Sequence, residues 1–216
     1  MSNTRTNLIY KSREILLELL ANRGFQVDKY LGYSKNEIDT MSKNGTLDLL
    51  LQTSVEQGSI PVKLYCKYLL DKTTTIQDLE NIMEDLYENA DEAYKLGGSD
   101  DDAIVIISND DPNAKLKSFL SELWTTRGRF ITVISIKRLQ FNVLKHELQP
   151  KQIDILTTDE QNEVMRQYNI RALSEFPEIS RFDPLALALF LRPGKVCRII
   201  RNSPTALAAP YYRVCL

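Results

Sequence analysis

The chain has one histidine and three cysteines among its 216 residues, and both scarcities narrow its chemistry. Cys66, Cys197 and Cys215 are odd in number and far apart. They match no zinc spacing and no disulfide framework, so reduced, mostly buried thiols are expected. His146 has no serine or cysteine partner in a readable motif and reads as a hydrogen-bonded structural residue rather than a catalytic base. No glycine-rich loop of the phosphate-cradling kind occurs. Neither a signal peptide nor an apolar run of spanning length is present, so a soluble, intracellular protein without a membrane role is expected. An excess of positive charge is also missing. Lys and Arg number 27 against 29 Asp and Glu, a net charge of −2, which argues against nonspecific nucleic-acid binding as the sole task. The 43% hydrophobic content is ordinary for a globular chain, and the length suits one large or two small domains.

What is present is regular patterning. Residues 6–23 predict a helix, with Leu8, Ile9, Ile15, Leu16, Leu19 and Leu20 on one face, Gly24 as a left-handed cap and Phe25 as the contact after it. Residues 28–45 are polar and include a short helix. Residues 47–53 and 60–67 read as strands separated by a Gly58-Ser59 turn signal. From Thr73 to Leu96, Ile76, Leu79, Ile82, Met83, Leu86, Ala90 and Ala93 recur at helical spacing among acidic residues. This predicts one long acidic amphipathic helix ended by Gly97-Gly98, either packed on its own domain or docking another protein. Residues 103–108 and 130–136 are strands. Between them a helix begins at Asp111-Pro112 and runs to Thr125 with Leu116, Phe119, Leu120 and Leu123 inward. Strands alternating with helices imply an α/β layer. Asp100-Asp101-Asp102 and Asp110-Asp111 read as solvated turns rather than a calcium site. Thr157 with Glu160 forms a capping box for a helix to about Tyr168.

The last stretch is the most specific. Asp183 before Pro184 starts a short apolar helix over residues 185–191, and Pro193-Gly194 makes a turn. Val196, Arg198 and Ile200 alternate with Cys197, Ile199 and Arg201, as in a strand buried on much of both faces. Residues 211–216 read as a second strand. Arg201 closes the buried strand just before Ser203-Pro204-Thr205, where a guanidinium suits bidentate contacts across an interface.

The ordered series Phe176-Pro177-Glu178-Ile179, Asp183-Pro184-Leu185-Ala186, Arg192-Pro193-Gly194, Ile199-Ile200-Arg201, Ser203-Pro204-Thr205 and Tyr212-Arg213 closely resembles the C-terminal domain of the fifth subunit shared by eukaryotic RNA polymerases, and its archaeal counterpart. Arg23-Gly24-Phe25, Val62-Lys63-Leu64-Tyr65-Cys66 and His146-Glu147-Leu148-Gln149-Pro150 resemble further segments of that family. Departures are Glu178 in place of arginine, Gln152 in place of a second histidine, and Leu207-Ala208 in place of a Gly-Arg pair, which implies a differently shaped loop there. The resemblance implies an α+β protein in two domains. Residues 1–142 form an α/β jaw domain, restriction-nuclease-like without an active site, with residues 73–96 as a lineage-specific helical insertion. Residues 143–216 form a small mixed α/β assembly domain. It implies a non-catalytic structural subunit of a multi-subunit DNA-directed RNA polymerase, a heteromeric complex whose active site lies in other chains. The expected polymerase-core interface is His146, Pro150, Asp183, Pro184, Arg192, Gly194, Arg201, Ser203, Thr205, Tyr212 and Arg213. The partners it implies are the largest subunit and the omega-class common small subunit.

Resemblance to a nuclease fold invites a test of catalysis. Such enzymes hold a divalent metal with an aspartate on one strand and an acid-x-lysine on the next. Asp48 has a plausible place, yet no carboxylate stands two residues before Lys63 or Lys67, so no nuclease activity, metal or cofactor is expected. Asp111-Pro112-Asn113-Ala114 resembles the family segment that opens a helix facing downstream DNA. With Lys115 and Lys117 in the first turns, it implies a weak contact of Pro112, Asn113, Lys115 and Lys117 with downstream duplex. The departures point to a diverged lineage such as a large DNA virus, with location in the host cytoplasm and virion, or in the nucleus if cellular. The alternative function is a free-standing nucleic-acid-binding transcription regulator reusing the fold.

Overall fold

The computed structural model describes residues 2–53, 61–89, 95–97, 99, 101–150, 152–203 and 205–216. The Gly58-Ser59 turn and Ile60, Ala90, Ala93, Gly98, Asp100 and Pro204 of the sequence reading lie outside them. The chain divides into two compact units, residues 1–141 and 142–216, each built on a four-stranded mixed sheet. The fold is thus α+β.

In the first unit, helix α1 spans Ser2–Ala21. It ends where Gly24 turns left-handed at φ 82°. Phe25 N–H donates to Leu20 O (3.1 Å) and Gly24 N–H to Ala21 O (3.0 Å), closing the carbonyls a helix end leaves open. The buried stripe differs from the expected one. Leu8 is 37% exposed, whereas Ser12 and Arg13 are buried. Ser12 is satisfied by its own helix, donating to Ile9 O at 2.8 Å. Arg13 donates to Leu47 O at 2.9 Å and lies 5.7 and 5.6 Å from the rings of Tyr30 and Tyr33. Helix α2 (Lys35–Asn44) begins at a Ser34–Glu37 capping box.

The sheet runs β1 (Leu49–Gln52), β2 (Lys63–Leu69), β3 (Ala103–Ser108) and β4 (Phe130–Ser135) in spatial order. β1 is antiparallel to β2, and β2, β3 and β4 are mutually parallel. Every residue of β3 and β4 is buried, which is why both read as mainly apolar runs, broken only by buried Ser108, Thr132 and Ser135: a parallel sheet is covered on both faces. Parallel neighbours require a crossover. Helix α4 (Ala114–Arg127) supplies it between β3 and β4, and α3 (Ile76–Glu84) lies on the one between β2 and β3.

Two boundaries are corrected here. The helix expected over 73–96 leaves α geometry at Asp85, continues as a π turn to Asn89, and is non-helical at residues 95–97. Leu96 instead returns to the helix, donating its N–H to Leu86 O at 2.9 Å, and is buried. Its apolar side chain is buried without belonging to the helix. The start of α4 is Asn113 rather than Asp111. The Asn113 side chain accepts from Leu116 N at 2.9 Å, while Asp111 is drawn away by Arg138.

The second unit has the spatial order β5 (Gln152–Ile155), β7 (Val196–Ser203), β8 (Leu207–Cys215), β6 (Glu178–Ile179). One face of β7 and β8 packs Cys197, Ile199 and Cys215 on Ile179, Ala186 and Leu191. The other packs Val196 and Val214 on Leu156, Val164 and Phe176. Helix α5 (Thr158–Gln167) carries the Thr157–Glu160 capping box in both directions, with Thr157 N–H donating to Glu160 Oε2 at 2.8 Å. Helix α6 (Pro184–Ala188) is capped by Asp183, whose Oδ1 accepts from Leu185 N at 2.9 Å. It stops before the expected Leu191 because Phe190 turns left-handed at φ 50° and Leu191 N–H closes on Ala186 O. Residues 192–195 then make a tight turn with Pro193 second and Gly194 third at φ 84°, the chemistry of a type II turn.

Strand β8 begins at Leu207, four residues before the expected start, and pairs with β7 down to Ser203↔Leu207. Pro210 hid this. Val214 N–H points to β6 (Pro177 O, 2.9 Å) and Cys215 N–H toward the β7 side (Lys195 O, 2.9 Å). By alternation Pro210 faces outward, where its missing N–H breaks no bond of the ladder. Among the described residues no helix is long and apolar enough to cross a membrane.

Candidate functional site

A groove of about 810 Å³ opens on the second unit. It is lined by apolar Pro150, Ile179, Leu185 and Ile199, by the carboxylate residues Glu147 and Asp183, and by Arg201 and Arg213. The fold explains this gathering. β7 brings Ile199 and Arg201, β8 brings Arg213, the α6 cap brings Asp183, and the turn entering β5 brings Pro150.

Four residues singled out from sequence therefore meet in one place: Pro150, Asp183, Arg201 and Arg213. Arg201 needs a correction. The sequence pattern puts it at the end of a buried strand, yet it is exposed. β5 stops pairing at Gln152↔Ile200, so β7 loses its neighbour where Arg201 begins. The guanidinium lies instead 4.3 Å from the centroid of Tyr211. Ser203 and Thr205 sit at the hairpin tip, their hydroxyl oxygens 3.3 Å apart, with Ala206 N–H donating to Ser203 Oγ. Arg192 and Gly194 belong to the turn tied to β8, where Gly194 N–H donates to Cys215 O at 2.9 Å. Pro184 is the first residue of α6. His146 is exposed, and its Nδ1 accepts from Leu148 N at 3.3 Å.

Tyr212 is not in the groove. Its register partner is Arg198, on the opposite face from Arg201, and its ring lies 5.8 Å from Tyr168. Burial, then the neighbouring Tyr168, raises its pKa. Sequence reading missed Ile179, Leu185 and Ile199 as members of this site, and Tyr211 as the ring its two arginines share. The signal for Tyr211 was its two-residue offset from Arg213, which puts both side chains on one strand face.

In the first unit, the residues expected to face DNA lie beyond the C-terminal ends of β3 and β4. Lys115 and Lys117 are exposed in the first turns of α4, and Pro112 and Asn113 precede it. Asp110 and Asp111, which would repel phosphate, are both engaged. Lys137 Nζ lies 3.0 Å from Asp110, and Arg138 grips Asp111 through Nε (2.6 Å) and Nη2 (3.0 Å). The Arg138 contact holds the Asp111 carboxyl below its usual pKa.

Asp48 is held as a structural group. Its carboxylate accepts from Tyr65 Oη at 2.7 Å and Tyr68 N at 3.4 Å. Tyr65 occupies the position two before Lys67, where the nuclease pattern needs an acid. Among the described residues no group of three His, Cys, Asp or Glu is arranged to hold a metal ion.

Residues 141–215 match the model of the family described as RNA polymerase Rpb5, C-terminal domain. The DNA-directed RNA polymerase subunit Rpo5 of Thermococcus onnurineus (strain NA1) is 41% identical over 75 residues, covering 35% of this chain and 89% of that protein. The chain belongs to the Rpb5/Rpo5 family. The Rpo5 subunit of Thermofilum pendens (strain DSM 2475 / Hrk 5) is 41% identical over 75 residues, 35% of this chain and 91% of its own length. That of Staphylothermus marinus is 41% identical over 78 residues, 36% of this chain and 84% of its own. Every residue named in the groove falls inside the segment that matches the Rpb5 domain.

Proposed function

We propose that this chain is a non-catalytic, structural subunit of a multi-subunit DNA-directed RNA polymerase and that its second unit docks on the polymerase core. The observation that carries this reading is the groove: Pro150, Asp183, Arg201 and Arg213 converge there with apolar side chains, all inside the segment matching the Rpb5 C-terminal domain. An open groove of mixed apolar and charged lining suits a protein partner better than a small substrate. The receiving surface is the largest subunit, close to the omega-class small subunit, and the catalytic metal belongs to other chains. Residues 1–141 act as a jaw bordering downstream duplex through Lys115 and Lys117. The pairing of Asp110 and Asp111 with Lys137 and Arg138 supports this, because it removes the repulsion phosphate would meet beside α4.

The test is co-purification. The tagged full chain is expected to retain the catalytic subunits through high salt and nuclease treatment. Release of the chain at moderate salt would instead mark a free-standing regulator that reuses the fold.

A further inference from the structure

Arg201 and Arg213 address one ring. Their guanidinium carbons lie 4.3 and 5.2 Å from the centroid of Tyr211. The register Cys197↔Arg213, Ile199↔Tyr211 and Arg201↔Ala209 puts all three side chains on one face of the β7–β8 ribbon. Among the described residues neither guanidinium has a carboxylate within ion-pair distance. Arg213 gives Nη1 to Glu178 O at 3.4 Å, and its Nε is buried without an acceptor. The face of a tyrosine offsets part of the repulsion between two cations and neutralises neither. The pair is therefore short of one anion, and a buried donor of the pair is short of one acceptor.

The rest of the groove says what kind of anion. Glu147 and Asp183 line it with Pro150, Ile179, Leu185 and Ile199. A nucleic-acid backbone, with a charge at every residue, would meet those two carboxylates. A polypeptide bearing one acid beside an apolar residue would satisfy the arginines and cover the apolar lining. We propose, resting on the docking reading above, that the groove receives a segment of another polymerase subunit that has this composition. Its aspartate or glutamate carboxylate engages Arg201 and Arg213, and a neighbouring apolar side chain lies against Ile179, Leu185 and Ile199.

The experiment uses the full chain assembled with its polymerase. R201K and R213K, made singly, place an amine where each guanidinium was, and a carbodiimide joins an amine to a carboxylate in direct contact. Mass spectrometry of the digested complex is expected to find a bond from position 201 or 213 to an Asp or Glu of another subunit, next to an apolar residue. R201Q/R213Q is expected to weaken retention at least about tenfold, as loss of charge-assisted hydrogen bonds does. Its free form should melt within a few degrees of the wild type. If the double variant melts early, R201Q alone, at an exposed position, carries the comparison. Retained complexes that yield no bond from either position overturn the proposal. So does release of the chain by nuclease, which would assign the groove to nucleic acid. Failure of the wild-type chain to co-purify at all would remove the docking reading itself, a separate result.

Discussion

Leu207 shows how a single residue reports on its position. It stands at φ 59° with 89% of its surface exposed. A left-handed backbone costs a non-glycine residue about 1–2 kcal/mol, and no burial of the side chain compensates. The family resemblance puts glycine here, and the backbone keeps the conformation glycine would adopt. Leu207→Gly should raise stability by about 1 kcal/mol, read as a higher denaturation midpoint. If retention by the polymerase falls at the same time, the exposed leucine is a contact. An unchanged or lower midpoint would show that the strain is relieved in some other way. Cys66, Cys197 and Cys215 make a second residue-scale case. All are free and buried, and desolvation pushes the Cys215 thiol up to about 12. In the native protein at pH 8, iodoacetamide should label none of them, and in denaturant all three. Scarcity and spacing made these thiols legible. Arg13 was not: a buried arginine on a helix breaks the apolar pattern, and its Leu47 carbonyl and Tyr30 and Tyr33 rings come from distant segments.

At the scale of elements, the strands buried on both faces are legible almost to the residue, because a parallel sheet covered on both faces selects a mainly apolar run. Ends are less legible wherever tertiary contacts set them. Phe190 ends α6, Asn113 rather than Asp111 begins α4, and Pro210 lies inside a strand that its presence argued against. For helix α3 and the π turn after it, burial supports the first of the two readings, packing on its own domain. Leu79, Ile82, Met83 and Leu86 are each at most 7% exposed, and burying each contributes about 1.5–3 kcal/mol. Together these match the whole stability of an ordinary domain. Deleting residues 73–96 should therefore unfold the first unit, seen as loss of its circular-dichroism signal, rather than spare it as an accessory. The start of α3 is sensitive to acid. Asp78 accepts from Lys72 and from the Thr75 hydroxyl and N–H, and the Lys72 contact most of all holds its pKa down to about 2 from an ordinary 3.8. A depressed carboxyl stabilises the fold above its unfolded value, and that contribution disappears as pH falls through the folded one. The advantage of the wild type over Asp78→Asn should be full at pH 5 and vanish as the pH falls from about 4 to 2. Thr75→Ala should lose about 1 kcal/mol at neutral pH. A pH-independent difference for Asp78→Asn would contradict this assignment.

For the whole molecule, the second unit has a core on each face of its sheet. A fragment of residues 142–216 should fold alone and hold the polymerase, checked by circular dichroism beside salt-resistant co-purification. The first unit should tune the grip on duplex. Replacing Lys115 and Lys117 by Glu should reduce the salt dependence of the complex's DNA binding by about one phosphate contact for each lysine lost, with assembly unchanged. An unaltered slope would leave both lysines as solvated surface. Any subunit made apart from its complex also passes time alone. Among the described residues β6 pairs with β8 at Val214 and Cys215 alone, so the outer backbone edge from Leu207 to Tyr212 has no strand partner and is open to an extended chain it meets. Pro210 sits on that rim without a donor to give, and a newcomer cannot zip past it. Pro210→Val should leave the fold intact yet make the free protein self-associate, visible as concentration-dependent light scattering. One ring at position 210 would thus act as a quality-control device for the unassembled state, keeping the orphan subunit from nucleating a fibre before its polymerase claims it.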